Sequence, residues 1–265
     1  MTEMITEQQL RQFIEDGAVT IDTPLTPEQI AAAVAALDRL LPLPTARQGQ
    51  PGHYRIQRTC SYDDPALLEI IQHPFFEEVA KRALRADEVY FFQTAIITTY
   101  PQPGAPFRFD QHVDIQYSLS DLNAVPRRMI CSYFLWLSDV NERRAPMMVR
   151  PRSHWLIATE REQHPRLRNE VPRVAGVALA QLPALPYAEP VPLVARAGQV
   201  SVLTTAAVHG ASVNIDTAPR QAMVITFTAA GVEIALPADQ AEQKRAYDRE
   251  LRQRLRPERA HIVAE

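Results

Sequence analysis

A chain of 265 residues with 46% apolar and 22% charged residues has the composition of a globular protein and can bury a full-sized core, which excludes disordered and fibrous classes. A net charge of −3 gives no electrostatic basis for binding nucleic acid or an anionic membrane, and no apolar run approaches the length of a bilayer span. Two cysteines, Cys60 and Cys131, are too few for a disulfide framework or a zinc site, and the first residues lack the basic and apolar regions of a signal peptide, so the expected location is the cytoplasm.

In chain order, Leu10, Phe13 and Ile14 place an apolar stripe on a helix over residues 6–16 that Gly17 stops. Thr26, with Pro27 at the first helical position and Glu28-Gln29 behind it, caps a second helix reaching Leu41, where Pro42 and Pro44 end it. Residues 45–64, with Gly49, Pro51, Gly52, Arg55 and Arg58, have no period and are expected to form a long loop, the kind of segment that serves as a lid or binding loop. Asp64-Pro65 and His73-Pro74 open two short helices that reach Leu84. From Val89 the pattern changes to β-branched apolar runs at 89–99, 129–138, 191–195, 199–204 and 222–228, which predicts antiparallel strands rather than alternating βα units. Residues 159–173 are charged and helical in pattern, 180–192 carry four prolines and read as a loop, and 239–256 form a polar C-terminal helix with a solvated face. The expected organisation is one domain over 1–265: a helical N-terminal part and loop (1–88), a strand-rich core (89–230) and a C-terminal helix (237–258). The fold class is therefore mainly β with flanking helices.

Two distant segments carry the chemistry. His112 and Asp114 lie two residues apart, and on a strand such residues share a face; no other H-x-D, and no H-x-E, occurs in the chain. His209-Gly210 follows one strand-like run and precedes another, with Arg220 eleven positions on. Two imidazoles and one carboxylate on one side of a metal leave the opposite positions open, the arrangement of mononuclear non-haem Fe(II) centres. A planar guanidinium nearby can pair bidentately with an anionic cosubstrate. Taken singly, each segment also fits a structural role, His112 and Asp114 as a surface hydrogen-bonded pair and His209 as a satisfied core histidine. Their joint occurrence in this order favours the metal. In the strand ahead of the first motif, Phe91, Gln93, Ala95, Ile97 and Thr99 share one face and Phe92, Thr94, Ile96, Thr98 and Tyr100 the other; alternation leaves open which face points inward.

The pattern H-G-x-x-x-N-x(5)-R at His209, Gly210, Asn214 and Arg220, the H-x-D motif, the segments 131–139 and 148–154, and the opening segment 5–19 together resemble the phytanoyl-CoA dioxygenase family, the Fe(II)/2-oxoglutarate oxygenases of small molecules, over nearly the whole length. The resemblance implies a double-stranded β-helix, a cupin-like jelly roll with N-terminal helices packed on one sheet. It implies Fe(II) held by His112, Asp114 and His209, with 2-oxoglutarate as cosubstrate and O2 as oxidant. Arg220 would take the distal carboxylate of 2-oxoglutarate, with Gln93 and Thr99 lining its site, and Gln93, Tyr133, Arg55, Arg58 and Arg152 are candidate substrate contacts. The substrate would be a small molecule, an anionic compound or a secondary metabolite, hydroxylated at an unactivated C–H bond as 2-oxoglutarate becomes succinate. Residues 45–64 would then close over the pocket mouth. Two departures stand near the motifs: Arg152 replaces the family's usual glycine, and Ala145-Pro146 replaces Gly-Pro. Arg143, Arg144, Arg150 and Arg152 form a basic cluster that is either solvated or set at the pocket mouth; His154 and Trp155 read as structural, and Asn214 as fixing a turn. Asp114 argues against a halogenase. A cupin-type isomerase or epimerase, and a non-catalytic ligand-binding module on the same barrel, are the alternative readings; oligomeric state is not written in the sequence.

Overall fold

Capping chemistry sets the N-terminal helices where the sequence places them. The computed structural model describes residues 4–41, 52–58 and 64–264, with the side chains of 53–58 outside that description. Helix α1 (Glu7–Asp16) begins at Thr6, whose hydroxyl accepts from the Gln9 backbone while the Gln9 side chain accepts from the Thr6 backbone, and it stops at Gly17 with φ 87°. Helix α2 (Pro27–Leu40) repeats the reciprocal cap with Thr26 and Gln29. Helices α3 (Pro65–Ile71) and α4 (Pro74–Leu84) each start on a proline, after the side-chain caps Asp64 and His73.

Eleven described strands form two antiparallel sheets. They are β1 (Ala18–Ile21), β2 (His53–Arg58), β3 (Val89–Thr99), β4 (His112–Val113), β5 (Ile130–Trp136), β6 (Met147–Val149), β7 (Val177–Ala178), β8 (Val191–Leu193), β9 (Val200–Thr204), β10 (His209–Ala211) and β11 (Arg220–Ala229). The large sheet has the order β1-β9-β5-β11-β3-β2 and the small sheet the order β7-β4-β10-β6-β8. Short helices α5 (Leu119–Asn123), α6 (Ser153–Glu162) and α7 (Pro165–Arg168) lie in the connections, and α8 (Ala238–Arg254) follows the last strand. This is the expected jelly-roll-like β core with flanking helices. No helix among the described residues is long and apolar enough to cross a membrane.

Alternation sorts the large sheet into two faces. Tyr133, Leu135, Met223, Ile225 and Phe227 pack outward into an apolar cluster shared with α1 to α4, which extends from Ile5 to Val263. Ala95, Ile97, Phe134, Trp136, Ala222 and Val224 point inward with Met147 and Val149 of the small sheet. A third cluster, Val113, Ile157, Leu182 and Val208, lies beneath α6.

Two expectations about the strands need correction. Residues 53–58 are not loop: they form an edge strand pairing with β3, Arg55 opposite Ile97 and Arg58 opposite Thr94. Residues 45–51 and 59–63, most of the rest of the expected lid, lie outside the described residues. The uniform alternation of β3 also fails at one point, because the register with β11 shifts between Thr226, opposite Gln93, and Phe227, opposite Phe91. Phe92 is the extra residue, so Phe91 turns outward to Phe227 and Tyr247, while Gln93 turns inward.

The C-terminal segment is tied back to α4 by charge. Glu77 is 4% exposed and receives Lys81 at 2.8 Å, Arg259 at 2.6 Å and His261 at 3.1 Å. Burial alone would raise its carboxyl, but hydrogen bonds from Lys81, Arg259 and His261 outweigh burial and bring it down to about 2. A depressed carboxyl stabilises the fold above its unfolded value, near 4.5, and that contribution fades as pH falls toward 2. Glu77→Gln should therefore reduce stability at neutral pH by on the order of 2 kcal/mol and flatten the acid limb of the unfolding curve. Urea unfolding of both proteins across that acid range measures the difference; parallel curves would dissociate Glu77 from the acid sensitivity.

Candidate metal centre

Strand β10 is the element on which the site is built. It lies between β4 and β6, and its register puts His209 directly opposite His112 on one side and Val149 on the other. Residues 97 apart in sequence thus become cross-strand neighbours, with imidazole centroids 4.6 Å apart. Asp114, just past the end of β4, is fixed through its backbone: its N–H donates to the Thr205 carbonyl at 3.1 Å, and its carbonyl accepts from Ala175 and Gly176 at 3.1 and 3.2 Å. Its carboxylate oxygens then lie 3.4 Å from Nε2 of His112 and 3.7 Å from Nε2 of His209.

The donor atoms of His112, Asp114 and His209 all fall within 4.8 Å of one another, as the ligands of one ion must. The tautomer fits too. Nδ1 of His209 lies 2.8 Å from the Ala207 carbonyl, which can only accept, so Nδ1 carries the proton and Nε2 presents its lone pair toward Asp114. His209 is buried, whereas His112 and Asp114 are about two-fifths exposed, so the trio has one dry side and one open side. Two neutral nitrogens and one carboxylate suit a divalent first-row metal such as iron(II) and leave coordination positions for other ligands.

Gly210 makes this pairing possible. A Cβ built there would lie 1.5 Å from the Asp110 carbonyl oxygen, so only glycine lets the backbone ahead of His112 approach β10. Asn214 fixes the following turn, its amide donating to the carbonyls of Thr99 and Ala218 at 2.9 Å each.

The cavity under the trio is lined on the large-sheet side by Gln93, Ile97, Ser132, Phe134, Val224 and Arg220. Arg220, 1% exposed, opens β11 directly opposite Thr99. Its Nε donates to the Ala145 carbonyl at 3.1 Å and its Cζ lies 5.7 Å from the centre of the Trp136 ring. Ala145 itself adopts φ 43°, and Arg152 adopts φ 63° at the start of α6. Both departures from glycine therefore fall at left-handed positions, where glycine carries no steric cost.

Of the other predicted contacts, Gln93 reaches the cavity, and Thr99 lines an adjoining cleft that shares Ala211 with it. Two do not reach it. Tyr133 faces outward and donates its hydroxyl to the Phe76 carbonyl at 2.8 Å, because β5 directs Ser132, Phe134 and Trp136 inward and every odd neighbour toward α4. Arg152 is exposed at the head of α6, its backbone N–H donating to the Asp16 carbonyl at the end of α1 at 3.1 Å, and it is not among the residues lining the cavity. Arg55 and Arg58 stand on β2, and their side chains lie outside the described residues. The basic cluster is engaged locally: Arg144 pairs with Asp216 at 3.1 Å, Arg143 donates to the Ile215 carbonyl and Arg150 to Gln111. His154 lies with Nε2 3.0 Å from the Ile14 carbonyl, and burial lowers its imidazole to about 4; it is structural, as expected. Sequence reasoning missed Ser132, Thr205 and Thr226, which also line the cavity. Alternation in 131–136 offered Ser132 and Tyr133 as equal choices, and only the register against β11 selects Ser132.

The sequence model of phytanoyl-CoA dioxygenase (PhyH) matches residues 13–222. No curated protein sequence matches the chain. Solved structures of similar fold include the epimerase SnoN in complex with Fe3+, alpha-ketoglutarate and nogalamycin RO, at 16% identity and TM-score 0.62 over 84% of this chain and 83% of that one. The carbocyclase SnoK from nogalamycin biosynthesis is similar at 22% identity and TM-score 0.61, covering 85% of each chain. EctD from S. alaskensis with 2-oxoglutarate and 5-hydroxyectoine is similar at 18% identity and TM-score 0.58, over 87% and 78%.

Gly210→Ala tests the close approach of the two motifs. Its methyl group has to displace the Asp110 carbonyl, so the variant should lose about 1–3 kcal/mol of stability and bind iron(II) substoichiometrically. Gly231→Ala is the control: its φ of 74° imposes a backbone cost of its own, but a Cβ there meets nothing within 4 Å, so the variant should lose stability and still keep full metal content. Metal analysis after anaerobic loading compares them, and equal occupancy would show that the approach is not needed for binding.

Proposed function

The chain belongs to the phytanoyl-CoA dioxygenase family of 2-oxoglutarate-dependent non-haem iron oxygenases, and we propose that it hydroxylates an unactivated C–H bond of a small molecule while 2-oxoglutarate becomes succinate and carbon dioxide. The observation that carries this reading is the convergence of His112, Asp114 and His209 on a cavity whose opposite wall holds the buried Arg220.

Each group has a physical task. When bound, iron(II), 2-oxoglutarate and dioxygen together supply the oxidant for the C–H bond. His112, Asp114 and His209 would hold the iron from one side, Asp114 offsetting part of its charge and the Ala207 carbonyl keeping Nε2 of His209 free to ligate. Arg220 would bind the distal carboxylate of 2-oxoglutarate; burial strengthens that pairing, and the Ala145 carbonyl with the Trp136 ring fixes the guanidinium plane. Ile97, Phe134, Met147 and Val224 keep this part of the cavity dry. Gln93, with Ser132, Thr205 and Thr226 beside it, offers polar contacts for cosubstrate or substrate.

An epimerase and a carbocyclase are among the structures of similar fold, so product mass is the direct test of outcome. Hydroxylation adds one oxygen atom, ring closure removes two hydrogens, and epimerisation leaves the mass unchanged. Screening small molecules for stimulated succinate formation, followed by mass analysis of the turned-over compound, distinguishes them; a product without added oxygen would overturn hydroxylation.

Arg220→Ala should weaken 2-oxoglutarate binding by on the order of 2–5 kcal/mol and leave iron content unchanged, since it removes one charged partner only. Anaerobic titration of the iron protein, followed by the charge-transfer absorption that 2-oxoglutarate induces, gives the comparison, and identical affinities would remove Arg220 from this role. His209→Ala and Asp114→Ala should each lose iron; either variant retaining both metal and absorption band would refute the ligand assignment.

A further inference from the structure

The buried face of α6 carries Ser153, Ile157 and Arg161 at successive helical turns. Ile157 packs beneath the metal-motif strand with Val113 and Val208, so the next inward position should also be apolar. It is Arg161, only 8% exposed, and its Nε is buried with no hydrogen-bond partner among the described residues. An arginine on an inward stripe with an unsatisfied donor is costly unless something else satisfies it.

Arg161 opens on a cleft of about 570 Å3 lined also by Asp114, Gln116, Glu170, Arg173 and Val177. The cleft and the metal cavity share Asp114, so a molecule lying in one can present an atom to the other. Two arginines face one carboxylate, Glu170, once Asp114 is committed to the metal. The local field therefore favours an anion. Arg173 is exposed at the rim, and Arg161 is the deep contact.

We infer that Arg161 anchors an oxyanion group of the substrate, a carboxylate or a phosphate ester, in this cleft and thereby sets which C–H bond lies beside the metal. The inference rests on the oxygenase reading for its consequence, and its binding test is independent of that reading. A guanidinium fork matches either group bidentately, whereas a neutral or cationic compound leaves it unsatisfied.

The test uses the full chain loaded with Zn(II) and saturated with 2-oxoglutarate, so that Arg220 is already occupied, with inorganic phosphate and acetate as separate probes followed by NMR titration. Wild type should bind at least one probe saturably, and Arg161→Gln should weaken that binding on the order of ten-fold or more without changing 2-oxoglutarate affinity. Arg161→Lys, which keeps the charge and loses the fork, should fall between them, which guards against a variant that misfolds. Which probe binds identifies the source, carboxylate or phosphate. No saturable binding of either probe by wild type, or equal binding by Arg161→Gln, would overturn the proposal. With the iron enzyme, carboxylates or phosphate monoesters should stimulate succinate formation more than their methyl esters or free alcohols. A loss of the 2-oxoglutarate absorption band in wild type would instead count against the oxygenase reading itself.

Discussion

Everything at the site depends on the antiparallel contact between β4 and β10. Strands of two and three residues bring together His112 and His209, and the contact exists because Gly210 has no side chain to meet the Asp110 carbonyl. A one-residue slip would turn His209 away from the cavity and leave no second imidazole beside Asp114. The register is held from outside the pair: β6 binds β10 on its far edge, and the Thr205 carbonyl takes the Asp114 N–H. The metal ligands are therefore placed by backbone pairing more than by side-chain packing, which suits His112 and Asp114, both partly exposed.

The large sheet plays the opposite part. Its strands β3 and β11 are eleven and ten residues long, paired along their length, and one face is buried in the core shared with α1 to α4 and α8. That platform carries Arg220, Gln93 and Ser132 on its inner face, at positions fixed by alternation. The bulge at Phe92 permits both uses of β3, an aromatic outward to Phe227 and Tyr247 and a glutamine inward to the cavity. Without the extra residue, Phe91 and Gln93 would share a face, and one of them would be misplaced.

Much of this was legible in the sequence, for identifiable reasons. Thr6, Thr26, Asp64 and His73 are local capping signals and act locally, so the helices fall where expected. His112, Asp114, His209 and Arg220 were legible because few residue types perform their chemistry and their order along the chain is restrictive. Parity was not legible: choosing Tyr133 over Ser132 required knowing how β5 meets β11, a contact across some ninety residues. The strand at 53–58 was hidden because an edge strand, bonded on one side, does not need the apolar alternation that marks a central one. Arg161 was invisible for a related reason, since a charged residue within a charged helix draws no attention until its neighbours Ile157 and Val113 show which side faces inward.

The unequal build of the two sheets has a consequence for dynamics. Short strands hold few hydrogen bonds, so β4, β7 and β10 should open at lower free energy than β3, β5 and β11, which share the main core. A metal held by His112, Asp114 and His209 would cross-link β4 to β10, adding binding energy to the closed form alone. Hydrogen exchange should then show protection rising on metal addition at 112–114, 177–178 and 209–211, with little change along β3 and β11. The opposite pattern, uniform protection across both sheets, would mean that the small sheet opens only with the whole fold, and that the ligands are as rigid without metal as with it.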